Sequence, residues 1–292
     1  MARDNIPTIV IVGPTASGKT ALGLELAEKY DGEIISADSR TVYRYLDIGT
    51  AKPTLEERSR VRHHLIDVRN PDETFTAADF QSSAKQVVKD IKARGKIPFI
   101  VGGTGLYIDA WLFDYNFTSK SDSKMREMLE KKNLEELIEY CKYNNIELPT
   151  NFRNKRHLIR AIEQNGINRQ RKDTMQEGIF VVGISMDKTM LRKRIEQRAQ
   201  KIFSENVVEE ALKIAERYGW EIEAMTGNIY PLLRQVTEGK MSIDQAKEKF
   251  ITLDWRLAKR QMTWFRRNQY IRWLSWEEAR QYISGILDRK KQ

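Results

Sequence analysis

The stretch "GPTASGKT", residues 13–20, follows directly on the apolar run Ile9-Val10-Ile11-Val12 and is followed by "ALGLELAEKY". It carries the full G-x-x-x-x-G-K-T spacing, placed between a strand signal and a helix signal. Glycines at 13 and 18 let backbone N–H groups wrap an anion, and the helix that opens behind them adds its positive end. Gly13, Pro14, Thr15, Ala16, Ser17, Gly18, Lys19 and Thr20 therefore read as a cradle for phosphates, with Lys19 as the point charge and the Thr20 hydroxyl suited to Mg²⁺.

Outward from this loop, apolar runs at 8–12, 33–37, 64–68 and 97–101 alternate with helical patterns at 18–30 and 76–94. Such alternation predicts an α/β fold, a P-loop type parallel sheet flanked by helices. A further β-rich run at 178–184 reads as a late strand of the same sheet. Between them, residues 117–176 are polar and helical, with "KMREMLEKKNLEELIEYCKYNN" as the clearest stretch. This predicts an α-helical insertion domain at 117–176 within a core made of 1–116 and 177–292. After residue 187 the pattern is helical to the end.

The chain has 292 residues, with 50 Lys and Arg against 41 Asp and Glu, a formal net charge of +9. An excess of that size favours a polyanionic partner. The single cysteine, Cys141, excludes an internal disulfide and a cysteine metal cluster. No segment approaches the roughly 20 apolar residues of a membrane helix, and no secretory leader pattern precedes residue 10. These features predict a soluble cytoplasmic protein with no membrane association, and nothing calls for an obligate protein partner. The positive charge is concentrated. Segment 153–172 holds Arg153, Lys155, Arg156, Arg160, Arg169, Arg171 and Lys172 against Glu163 alone, and suits phosphate neutralisation. Segment 254–273 interleaves Arg256, Lys259, Arg260, Arg266, Arg267 and Arg272 with Trp255, Trp264, Phe265, Tyr270 and Trp273. Its aromatics suit base stacking or the core face of an amphipathic helix, and the core face is the reading we prefer.

The strand at 97–101 ends in "GGTGLY" with no acid to order Mg²⁺ and water as a motor or GTPase would, and a guanine-reading Asn-Lys-x-Asp is missing. The carboxylate comes instead after the second strand, in "SADSRTVY". Ligands of doubly wound sheets bind at the carboxyl ends of the strands, which brings Asp38 and Thr104 toward the same crevice as Lys19. Asp38 there could take a proton from an acceptor, ligate Mg²⁺ in its outer shell, or cap a helix.

Together with these residues, "ISADSRTVYRYLDIGTAKP", "HHLIDV", "FTAADF", "PFIVGGTGLY", "RHLIRAIE" and "LAKRQMTWFRR" resemble, in order from Gly13 to Arg267, the tRNA dimethylallyltransferase family. The resemblance implies dimethylallyl diphosphate as donor and the exocyclic N6 of the adenosine beside a tRNA anticodon as acceptor, with Mg²⁺ assisting. It implies Asp38 as general base and adenine contact, with Ser39, Arg40 and Thr41 lining the adenosine and Thr104 in the channel where donor and acceptor meet. Arg156, His157, Leu158, Ile159 and Arg160 match the family's RNA-contacting stretch, and Lys259, Arg260 and Gln261 its C-terminal RNA-binding signature.

Some positions depart from the family pattern. Ile229-Tyr230-Pro231-Leu232 stands where Gly-Tyr-Arg is usual, so an arginine toward the diphosphate is replaced by Pro231; Arg234 or another cation could serve instead. His157 stands for a second Arg, Asp254-Trp255 for Thr-Arg, and Asn206 for a helix-ending Gly. Other readings share parts of the pattern. A prenyltransferase of free adenine nucleotides needs no basic insertion. A small-molecule kinase on the same sheet would use ATP, for which this loop is also a common signature. An RNA-binding protein with a degenerate site would not keep Lys19, Thr20, Asp38 and Thr104 together.

Overall fold

A computed structural model describes residues 6–117, 123–149, 152–163, 172 and 174–291. Strand β1, Thr8–Val12, is a run of β-branched residues buried along its whole length, as a strand covered on both faces requires. With β2 (Gly32–Ser36), β3 (His63–His64), β4 (Ile97–Gly102), β5 (Ile179–Ile184) and β6 (Arg272–Leu274) it forms one sheet in the order β3-β2-β4-β1-β5-β6. Every pairing is parallel. The helices are α1 (Lys19–Lys29), α2 (Leu55–Arg60), α3 (Ala77–Ala93), α4 (Gly105–Leu112), α5 (Ser123–Lys131), α6 (Leu134–Tyr143), α7 (Lys155–Glu163), α8 (Lys188–Ser204), α9 (Val207–Tyr218), α10 (Tyr230–Thr237), α11 (Ile243–Phe265) and α12 (Trp276–Lys291). This is the α/β architecture expected from the sequence.

Two compact units emerge: 1–112 with 174–292, and 113–173. In the first, Ile9, Ile11, Leu22, Leu26, Phe99 and Ile283 belong to one buried cluster that joins sheet, α1 and α12. In the second, α5, α6 and α7 enclose Leu129, Leu137, Cys141, Leu158, Ile159 and Ile162. The helical stretch at 124–145 is broken at Asn133, whose side chain accepts from the Glu136 N–H in a capping box that starts α6.

Two strand expectations are corrected. The run 64–68 is not a strand: only His63 and His64 pair with β2. Leu65 and Asp67 take left-handed backbone, φ 61° and 57°, which ends the ladder. The Asp67 carboxylate is drawn instead to Lys52 and Arg58, at 2.7 and 2.8 Å. The region after 187 is not helical throughout, because Arg272–Leu274 adds β6 beside β5.

At their carboxyl ends β2 and β4 approach closely. A Cβ on Gly102 would lie 2.1 Å from the Ala37 carbonyl oxygen and 2.6 Å from the Ala37 Cβ. Gly102→Ala must therefore push the strands apart just before Asp38 and Thr104. We expect it to cost about 1–3 kcal/mol as an overpacked site, read as a lower Tm in thermal denaturation; an unchanged Tm would show that the two strands separate freely here.

Candidate active site

Register sets the site. Val12 pairs with Gly102 and Ser36 with Val101, so β1, β4 and β2 end level with one another. The segments that follow them, 13–18, 103–105 and 37–41, leave the sheet at one end, where the chain's path reverses across β1, the usual place for a ligand in an open α/β sheet. They line a cavity of about 1310 Å³, together with residues from 47–58, α8, α11 and the turn before α10.

The phosphate loop is held from three sides. Ser17 N–H donates to the Pro14 carbonyl at 3.2 Å, and the Thr15 N–H donates to Gln261 Oε1 at 2.8 Å. Arg194 donates to the Ser17 carbonyl at 3.3 Å. Gly18, at φ 87°, is the N-cap of α1 and supplies no side chain to its first-turn N–H groups. Those donors remain for an anion. Ser17 Oγ is buried without a partner among the described residues. Lys19 Nζ donates to the Pro14 carbonyl at 3.2 Å. Loss of water lowers its pKa from 10.5 to about 8, with Asp38 and Asp254 pulling upward and Arg198 pushing down.

In the same cavity, Asp38 and Thr104 are joined through the backbone of residues 38–40. Asp38 Oδ1 accepts from the Arg40 N–H at 2.8 Å, an Asx-type turn that fixes the carboxylate. Thr104 Oγ1 accepts from the Ser39 N–H at 3.0 Å, which leaves its hydroxyl proton to donate elsewhere. Thr41 is buried, its hydroxyl 3.0 Å from that of Ser36. Arg40 donates to the Glu223 carbonyl at 2.7 Å. Lys19, Thr20, Asp38, Ser39, Arg40, Thr41 and Thr104 all line the one cavity.

The RNA-signature residues divide. On α11, Lys259 and Arg260 are exposed, and Arg260 lines the cavity. Gln261 serves the site's interior: besides accepting from Thr15 it donates to the Gly103 carbonyl at 3.0 Å, tying two loops to one helix. On α7 in the second unit, Leu158 and Ile159 are core residues, 0% and 4% exposed, so their side chains support the helix rather than meet a ligand. His157 is exposed and Arg160 half-buried. The side chain of Arg156 lies outside the described residues, as do Arg169 and Arg171. Among the aromatics of 254–273, Phe265 is fully buried, whereas Trp264 lines the cavity and donates to Asp109 at 2.7 Å.

Sequence reasoning missed Arg198 on α8. Its guanidinium donates to the Thr15 hydroxyl, to Asp254 at 2.9 Å and to the Thr50 carbonyl at 3.3 Å. Arg234 is no substitute for the arginine absent at Pro231, because it is held by Glu221 and Glu238 on the surface. The signal for Arg198 was present as Arg194 and Arg198 one turn apart, flanking the buried stripe Leu191, Ile195, Ala199 and Ile202. Glu210 on α9 was also missed. Its carboxylate accepts from the N–H groups of Asp47, Ile48 and Gly49 at 2.7, 2.7 and 3.0 Å, and from the Tyr230 hydroxyl at 2.9 Å. It anchors the cavity wall that carries Thr50.

The residues could hold Mg²⁺ only sparingly. No cluster of three His, Cys, Asp or Glu of metal-binding geometry occurs among the described residues, so an ion here would take Thr20 and otherwise ligand oxygens and water. No helix among the described residues is long and apolar enough to cross a membrane.

The desolvated lysine gives a direct check. In protein labelled with ¹³C at lysine Cε, Lys19 is expected to titrate with a midpoint at about 8. In Asp38→Asn the midpoint falls lower, because a charge that favours the ammonium is gone. A midpoint at the ordinary lysine value would show that Lys19 is hydrated.

The chain is similar to known proteins over most of its length. Residues 41–268 match the family model described as IPP transferase. The tRNA dimethylallyltransferase of Bacillus pumilus is 38% identical over 315 residues, 99% of each chain. That of Bacillus mycoides is 36% identical over 303 residues, 96% of this chain and 95% of its own. The crystal structure of the full-length tRNA isopentenylpyrophosphate transferase from Bacillus halodurans superposes with a TM-score of 0.74 at 33% identity, covering 98% of both chains.

Proposed function

This chain belongs to the IPP transferase family, and we propose that it transfers a dimethylallyl group from dimethylallyl diphosphate to N6 of the adenosine beside the anticodon of a tRNA, releasing diphosphate. Dimethylallyl transfer to tRNA is the activity its relatives are named for. The observation that carries the finer reading is one cavity lined by the phosphate loop, Lys19, Asp38 and Thr104 together.

The chemistry needs both the phosphate loop and the carboxylate. An exocyclic adenine amine is a poor nucleophile because its lone pair is delocalised into the ring. As its nitrogen bonds to C1 of the donor, the C1–O bond breaks and its electron pair leaves on the diphosphate. The N–H proton passes to the Asp38 carboxylate. Lys19, Arg198 and the free N–H groups at the start of α1 stabilise the charge that grows on the leaving group. The unpartnered Ser17 hydroxyl suits the same oxygen-rich ligand. Mg²⁺, held by Thr20 and the diphosphate itself, would neutralise leaving-group charge further. Asp38 is adequate as a base although a carboxylate is weak, because the amine becomes strongly acidic once the new C–N bond forms. Thr104 has a hydroxyl proton to donate beside it. Exposed Lys259 and Arg260 on α11, with the exposed basic residues of the second unit, support an RNA phosphate backbone as partner. The target base has to be unstacked and turned into the cavity.

The test is to offer dimethylallyl diphosphate or ATP with tRNA or AMP, and to weigh the products. Prenylated tRNA and diphosphate are expected; phosphate transfer from ATP, or prenylation of AMP alone, would overturn the reading. Asp38→Asn keeps size and an acceptor oxygen but loses basicity. Under single-turnover conditions it is expected to lower the rate by about 10²–10⁴, with donor and tRNA affinity changed much less. Unchanged turnover would remove Asp38 as the base.

A further inference from the structure

Asp254 is a carboxylate in a subsite built for anions. It lies in the interior of α11 and is 2% exposed. A buried carboxylate is costly unless paired and hydrogen-bonded. Here Oδ2 accepts from Arg198 Nη1 at 2.9 Å and Oδ1 from Asn228 Nδ2 at 2.8 Å. The same Arg198 nitrogen reaches the Thr15 hydroxyl of the phosphate loop, and the other reaches the Thr50 carbonyl. Arg198 is thus stretched between the loop that would hold a diphosphate and an acid that competes for the same charge.

We infer that Asp254 is a positioning residue of the diphosphate subsite, which fixes the Arg198 guanidinium against the phosphate loop and takes up part of its charge, so that diphosphate is released after transfer rather than trapped. Three cationic side chains, Lys19, Arg194 and Arg198, line the cavity around the loop. Uncompensated, they would bind the product diphosphate at least as firmly as the donor, because the product carries more negative charge. A group that tempers them favours turnover. A neutral residue at 254 could still accept from Arg198. The acid adds one full negative charge at hydrogen-bond distance from that cation, and its effect falls on the more highly charged product more than on the donor.

The inference rests on the diphosphate reading above, and one experiment separates the two. Inorganic pyrophosphate with excess Mg²⁺ is titrated calorimetrically into the full-length protein and into Asp254→Asn. The amide keeps the geometry: its oxygen can accept from Arg198, and its NH₂ can donate to Asn228 with that amide turned over. Only the charge is lost. Pyrophosphate is expected to bind Asp254→Asn about ten-fold more tightly. The multiple-turnover rate is expected to fall relative to the single-turnover rate as release becomes limiting. Unchanged or weaker binding would overturn the inference, since a mere strut moves affinity down or not at all. If the unaltered protein binds no pyrophosphate, the diphosphate reading itself fails. Asp254→Thr, the residue the family pattern carries here, is the second uncharged variant and answers the same question if the Asn variant gives no cooperative melt.

Discussion

The site depends first on how closely β2 and β4 can approach. Ala37 and Gly102 touch backbone to side-chain position with no room for another carbon. The Ala37 N–H and carbonyl are both used across that contact, to the Val101 carbonyl and from the Thr104 N–H at 2.8 and 3.1 Å. Beyond it, the Ser39 N–H reaches Thr104 Oγ1. Asp38 and Thr104 are therefore placed by backbone bonds of adjacent strands rather than by flexible side chains. A carboxylate and a hydroxyl fixed this way keep their positions in the cavity, and in the proposed transfer small displacements of such groups would be expensive in rate.

Electrostatics forms the second constraint. A loop that presents N–H groups to an anion, with Lys19, Arg194 and Arg198 around it, concentrates positive charge in a partly desolvated space. Two carboxylates, Asp38 and Asp254, offset it and hold up the Lys19 ammonium. Glu210 plays a comparable part away from the reacting atoms: three consecutive backbone N–H groups converge on it, and it keeps the 47–50 wall in place. Burial beside that carboxylate raises the Tyr230 pKa far above the ordinary value, so its hydroxyl stays a donor.

Much of this was legible in the sequence. The phosphate loop has a fixed spacing with a mechanical reason, and strand-helix alternation dictates a parallel sheet. From that alone Asp38 and Thr104 follow to the carboxyl ends of their strands. What escaped is of two kinds. Short elements carry too little periodicity to see: β6 is three residues inside a basic, aromatic run, and β3 stops after two because Asp67 is drawn to Lys52 and Arg58. Long-range partners carry little local mark. Arg194 and Arg198, one turn apart beside a buried stripe, hint at a shared face, but what Arg198 holds is set only when Thr15 is brought to it from 183 residues away. Gln261 was read by resemblance as part of an RNA signature with Lys259 and Arg260, yet those two are exposed while its own amide turns inward to Thr15 and Gly103.

That inward turn has a bearing on how the protein is made. The bond from Thr15 to Gln261 spans 246 residues, and Trp276 donates to the Gly18 carbonyl across 258. Both fasten the phosphate loop to helices that are synthesised long after it. Until α11 and α12 are synthesised, the Thr15 N–H and the Gly18 carbonyl lack these side-chain partners. Contacts of such long sequence separation must overcome a large loop-closure entropy and form late. A nascent chain can then carry a finished β1–β4 region without a fastened phosphate loop, and the fastened loop arrives with α11 and α12 rather than growing by degrees as the polypeptide lengthens.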